Sequence, residues 1–160
     1  MIIFAFYVAP GNWRDKAIRF VTGDRESHVE YLTVPVVKTA NATVAASKRD
    51  GSRVRAEIIH WKPDHWEFVQ VPVKAAPVHR RIISEVGRPY DTWGALTYWA
   101  PFGGGRRDAW FCSELMAHAM SLPEPHRYTP GSFRRALMLL GGVERIIDIP
   151  KFTPRLEDTK

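Results

Sequence analysis

"SHVEYLTV", residues 27–34, alternates from one residue to the next. Val29, Tyr31 and Thr33 fall on one side, His28, Glu30 and Leu32 on the other. That period of two, built on β-branched and aromatic residues, predicts a strand with both faces partly covered. The chain's single cysteine stands far downstream at position 112. The reading of the fold turns on this order, a histidine-bearing strand first and a cysteine later.

Upstream, "IIFAFYV" (2–8) is a compact apolar run ended by Pro10-Gly11 and predicts a buried strand. "NWRDKAIRFVTG" (12–23) carries Trp13, Ala17, Ile18, Phe20 and Val21 at helical spacing, with Gly23 as a stop. Downstream, 42–47, 53–61 and 65–73 read as further strands, with "KRDGS" (48–52) as a hairpin turn. These strands predict an antiparallel meander. The second half turns helical: 76–87, 91–100 running into the "PFGGG" loop (101–105), 112–120 and 129–142. A closing strand follows over 143–149, then a loose tail over 151–160. Strands first and helices later indicate an α+β fold with residues 1–150 as a single domain.

The 160 residues are 45% hydrophobic and 25% charged, values of a globular chain able to bury a core. Lys and Arg exceed Asp and Glu by 23 − 17 = 6, which favours anionic partners. The basic residues come as singles and pairs such as Arg80-Arg81 and Arg134-Arg135, without a zinc-finger or RNA-binding signature, which argues against nucleic acid as partner. One cysteine excludes an intrachain disulfide. The opening run lacks a basic leader and breaks early, so it reads as a strand and not as a signal peptide. No apolar stretch approaches the ~20 residues of a membrane span. The expectation is a soluble protein made in a reducing cytoplasm, with a bacterial or phage-associated origin left open. The oligomeric state is not readable.

"DAWFCSELMAHAM" (108–120) puts Cys112 at the opening of a predicted helix, after a loop holding Gly103 to Gly105, with Glu114 in the first turn. A thiol attacks as thiolate, and a helix N-terminus favours that anion while its free N–H groups suit an oxyanion. The plain competing reading is a small core residue beside Trp110, Phe111 and Leu115.

"GRPYDTWGA" (87–95) followed by "FCSEL" (111–115) resembles the signature of NlpC-type papain-like cysteine peptidases, G-x-P-Y-x-W-G-G and later F-D-C-S-G-L. Gly87, Pro89, Tyr90, Gly94, Phe111, Cys112, Ser113 and Leu115 match; Trp93 is displaced by one, and Ala95 and Glu114 stand where that pattern has glycine. In the common form of the family the catalytic histidine follows the cysteine. Here His118 lies nearly opposite Cys112 around the same helix, and His126 sits in a Pro-rich turn. The order His28 before Cys112 resembles the circularly permuted branch, the YiiX- and YaeF-like proteins and, more distantly, lecithin:retinol acyltransferase-like enzymes.

That resemblance implies a permuted papain-like fold, an antiparallel sheet or small barrel against a helical part that carries the nucleophile helix. It implies Cys112 as nucleophile and His28 as base. Glu30, on the face of His28 and about 7 Å along the strand, reaches far enough to steer the ring; Thr43 or Ser47 on the next strand are alternatives. Tyr90 and Ser113 are the expected substrate or oxyanion contacts. The activity implied is thiol-dependent cleavage of an amide or isopeptide bond in peptidoglycan stem peptides. Two alternatives stay open: an acyl-lipid amidase or acyltransferase, and a non-catalytic binding or structural module, for instance of a phage particle. His60 and His65 flank "WKPD" (61–64), and neither His-x-x-x-His nor His-Glu-x-x-His occurs, so no metal and no cofactor are expected.

Overall fold

Every residue from Ile2 to Phe6 is buried, so β1 (Ile2–Tyr7) needs a neighbour on each edge and a layer on each face. The computed structural model, which describes residues 1–47, 53–62, 64–91 and 108–145, provides all four. The remaining strands are β2 (His28–Leu32), β3 (Ala40–Ser47), β4 (Arg53–His60), β5 (Trp66–Val71) and β6 (Val143–Arg145). They form one open antiparallel sheet in the order β4-β3-β2-β1-β5-β6. The helices are α1 (Trp13–Thr22), α2 (Ala75–Ser84), α3 (Cys112–Ala119) and α4 (Pro130–Leu139). The architecture is α+β, and among the described residues the sheet stays open, with β4 and β6 at its edges.

The expected meander holds for β2, β3 and β4 and then breaks. β5 pairs with β1 from Ile2↔Val71 to Tyr7↔Trp66, not with β4. The cause is the burial of β1, whose second edge would otherwise leave a row of N–H and C=O groups unpaired in the interior. The connection from β4 carries Trp61 onto one face of the sheet. There it stacks edge-on against Trp66 at 5.1 Å and Phe68 at 5.2 Å, in a cluster with Ile3, Ala5 and Leu32. The other face bears Phe4, Phe6, Val29, Tyr31, Val44 and Val69 and packs against Val78 and Ile82 of α2, Leu115 and Met116 of α3, and Phe133 and Leu137 of α4.

Local signals set the helix ends. Asn12 caps α1 through Arg14 and Asp15, and Gly23 closes it in the left-handed region at φ 68°. Thr129 caps α4, with Pro130 at the first position. The apolar stripe of α1, however, is split: Trp13 is 72% and Phe20 90% exposed, whereas Ala17 and Ile18 are half-buried. Its inner face also carries polar groups. Arg19 donates to the carbonyls of Ala9, Pro10 and Arg25 at 2.5 to 3.2 Å, and Ser27 donates to Asp15 at 2.9 Å.

The expected turn at 48–52, helix 91–100 beyond Asp91, "PFGGG" loop, strand residues 146–149 and tail 151–160 lie outside the described residues. No helix among those described is long and apolar enough to cross a membrane.

Candidate active site

Cys112 is the first residue of α3 and is 5% exposed. Its helix starts after Phe111, which offers no side-chain acceptor, whereas Asn12 and Thr129 cap α1 and α4 with theirs. The N–H groups of Cys112 and Ser113 therefore have no intrahelical acceptor. The Glu114 carboxylate accepts from the Phe111 N–H at 3.4 Å, the only half of a capping box that phenylalanine permits.

His28 opens β2 on the rim of the sheet, opposite Tyr7. Its Nε2 lies 2.8 Å from Glu30 Oε1, and the Cys112 side chain stands near enough to act on the ring by charge and hydrogen bonding. With Nε2 engaged by the carboxylate, Nδ1 is the ring nitrogen left for the thiol proton. Burial opposes the imidazolium, but the Cys112 charge, the hydrogen bonds to Cys112 and Glu30 and the Glu30 charge outweigh it, raising His28 to about 10. The fold thus brings a thiol near a histidine and joins that histidine to a carboxylate, an order that a catalytic triad also has.

Glu30 is not a solvated strand residue; it is 1% exposed. Burial alone would raise its pKa. The hydrogen bond and charge of His28, then the Arg55 charge and the Thr43 hydroxyl, hold it below the usual carboxylate range instead. The Arg55 guanidinium meets Glu30 Oε1 at 3.0 Å and Glu57 Oε1 at 2.8 Å. Of the alternative orienting residues, Thr43 acts on Glu30 and not on the ring, with its hydroxyl also 3.5 Å from the Glu57 carbonyl. Ser47 lines the cavity described below.

Tyr90 is held beside Cys112 by two backbone bonds, Asp91 N–H to Trp110 O at 2.9 Å and Trp110 N–H to Pro89 O at 3.0 Å. Burial, then the Cys112 and Asp91 charges, push its phenol far up against the opposing Arg14 charge, so it stays protonated and able to donate. Ser113 is different. Its hydroxyl donates to the Tyr128 carbonyl at 2.6 Å and fixes the turn after α3, leaving only its backbone N–H for an oxyanion.

A cavity of about 500 Å3 opens on His28, Glu30 and Tyr90, walled by Tyr7, Trp66 and Ile59 and by Trp13, Arg14 and Ile18 of α1. A pocket of about 20 Å3 touches Cys112 itself and shares Ile18, Ser27 and Tyr90 with the larger one. His118 stacks on Trp110 at 4.7 Å, while His126 lies in the turn Pro125–Arg127. Among the described residues no three His, Cys, Asp or Glu side chains group to hold a metal.

Sequence reasoning did not single out Arg55, and it offered Trp66 only as one of several tryptophans for an apolar cleft or the core; the Trp66 ring meets His28 edge-on at 6.5 Å. The usable signal for Arg55 was the polar alternation Arg53, Arg55, Glu57 along β4, on the face that the register shares with Thr43 and Ala45. Trp93, Gly94 and Ala95 of the signature lie outside the described residues. No protein-family model, curated protein or solved structure matches this chain.

Proposed function

We propose that this chain is a thiol-dependent hydrolase of amide or isopeptide bonds, on a permuted papain-like arrangement. Cys112 is its nucleophile, His28 its general base and acid, and Glu30 its orienting carboxylate. The observation that carries the reading is the convergence of Cys112, His28 and Glu30 from two elements far apart in sequence, with His28 hydrogen-bonded to Glu30 and within the electrostatic reach of Cys112. A buried cysteine kept only for packing has no need of an imidazole, and that imidazole no need of a buried carboxylate.

The chemistry follows from the geometry. His28 takes the thiol proton, and the thiolate attacks the carbonyl carbon, forming a C–S bond. The oxyanion meets the N–H groups at the start of α3 and the Tyr90 hydroxyl. The C–N bond then breaks, and the amine leaves with the proton from His28. Water, deprotonated by the same ring, cleaves the thioester to a carboxylic acid and restores the thiol. The resemblance in "GRPYD" and "FCSEL" supports peptidoglycan stem peptides as substrate, and the net charge of +6 suits an anionic wall polymer.

A second reading, an amidase or acyltransferase on acyl-lipids, has its own support. The exposed Trp13 of α1 lines a cavity walled also by Tyr7, Trp66, Ile59 and Ile18, and Phe20 of the same helix is exposed too. Turnover of wall fragments against N-acyl substrates presented in vesicles separates the two.

The test of the lead is reactivity. Cys112→Ala abolishes labelling by a thiol electrophile and all turnover. His28→Ala slows labelling near pH 6.5 by about 10-fold or more, since general-base assistance contributes about 10² to 10⁴. A His28→Ala protein whose Cys112 reacts as fast as the wild type's would leave a non-catalytic binding module.

A further inference from the structure

We propose that Arg55 is a positioning residue for the dyad, setting the charge balance that lets Cys112 exist as thiolate, and that Glu57 tunes it. The inference rests on the Cys112–His28 reading and deepens it.

The arrangement begins in the strand register. Ala5 stands opposite Glu30 on β1. The β2–β3 register, Tyr31↔Val44 and Leu32↔Thr43, brings Ala45 opposite Glu30 when continued by one residue. Arg55 stands opposite Ala45 on β4. With methyl groups on both sides of Glu30, nothing bulky separates it from Arg55, and the guanidinium spans β3 to reach it. Arg55 Nη2 lies 3.0 Å from Glu30 Oε1, the same oxygen that His28 Nε2 approaches at 2.8 Å. Arg55 Nη1 lies 2.8 Å from Glu57 Oε1. The side chains of Glu30 and Arg55 are 1% and 9% exposed, that of Glu57 26%.

Two consequences follow. Sharing Oε1 makes Glu30 a weaker base, so the proton stays on His28, where the leaving group needs it. Charge counting gives the second. Thiolate, imidazolium, Glu30 carboxylate and Arg55 guanidinium sum to zero. Without Arg55 the buried group holding a thiolate would carry −1, and a low-dielectric site sheds that charge by keeping the thiol protonated. Glu57 acts the opposite way, drawing Arg55 toward solvent and diluting its charge at Glu30. Among the described residues, other ionisable groups about the dyad include Tyr90 and, around Tyr90, Asp91, Glu114 and Arg14.

Iodoacetamide alkylation followed against pH tests this directly, because Cys112 is the sole cysteine. In Arg55→Met the pH of half-maximal alkylation rises by about one unit, and Arg55→Lys recovers most of the shift. In Glu57→Gln it falls. A change that merely loosened the fold would not move two variants in opposite directions. The proposal is overturned if folded Arg55→Met keeps the wild-type profile, or if Glu57→Gln fails to shift it downward. Should Arg55→Met not fold, Glu57→Gln alone decides. His28→Ala in the same titration separates the two levels. If its profile equals the wild type's, the dyad and this proposal fall together. If it departs while Arg55 and Glu57 variants do not, only the proposal falls.

Discussion

Glu114 occupies the third position of α3, where the helix dipole welcomes an acid, yet it is only 6% exposed. Burial pushes its carboxyl up to about 7; the Phe111 N–H opposes the shift and the Asp91 charge adds to it. A folded-state value above the unfolded one means stability that is present below about pH 4.5 and lost as pH rises through about 7. Glu114→Gln, which keeps an acceptor for Phe111, therefore stabilises the protein at pH 8 by on the order of 2 kcal/mol and has little effect at pH 4.5. Urea midpoints of both proteins at the two pH values check this, and an equal difference at both would rule out the ionisation as cause. The glutamate replaces a glycine of the resembled signature two residues past the sulfur.

At the scale of elements, Asp24 joins the α1–β2 connection to the start of α4. Its carboxylate accepts from the Thr129 hydroxyl, from Gly131 N–H at 3.2 Å and from Arg135 Nη1 at 3.1 Å. Gly131 must stay bare, since a Cβ there would lie 2.3 Å from the Asp24 carboxyl carbon. Asp24→Ala should cost about 2 kcal/mol through the lost cap and charge-assisted bonds, read as a lower thermal midpoint. A melting curve unchanged from the wild type's would show that α4 does not depend on this tie. The sequence announced one helix end, at Gly23, whose left-handed conformation is carried in its own chemistry. It also announced that His28 and Glu30 share a strand face, because period two is local. It did not announce that β5 would leave β4 for β1, nor that Arg55 would reach across Ala45. Both depend on which strands become neighbours, and that is settled by burying Ile2 to Phe6 and not by any short-range pattern.

On the scale of the whole molecule, the candidate site exists only when the chain is closed. His28 and Cys112 are 112 − 28 = 84 positions apart, one on the sheet and the other on a helix packed against β2 and β3. Neither element keeps the pair together without the other. On the proposed dyad, the part of Cys112 reactivity that His28→Ala removes should thus vanish with urea at the same midpoint as the far-ultraviolet circular dichroism of the sheet. Loss of that part well before the sheet melts would mean that α3 detaches as a separate unit. The solitary thiol has a chemical consequence too. If peroxide converts it to a sulfenic acid, no second thiol in this polypeptide can capture that species as an internal disulfide. Recovery would then fall to small external reductants, and further oxidation to the sulfinic stage would be permanent.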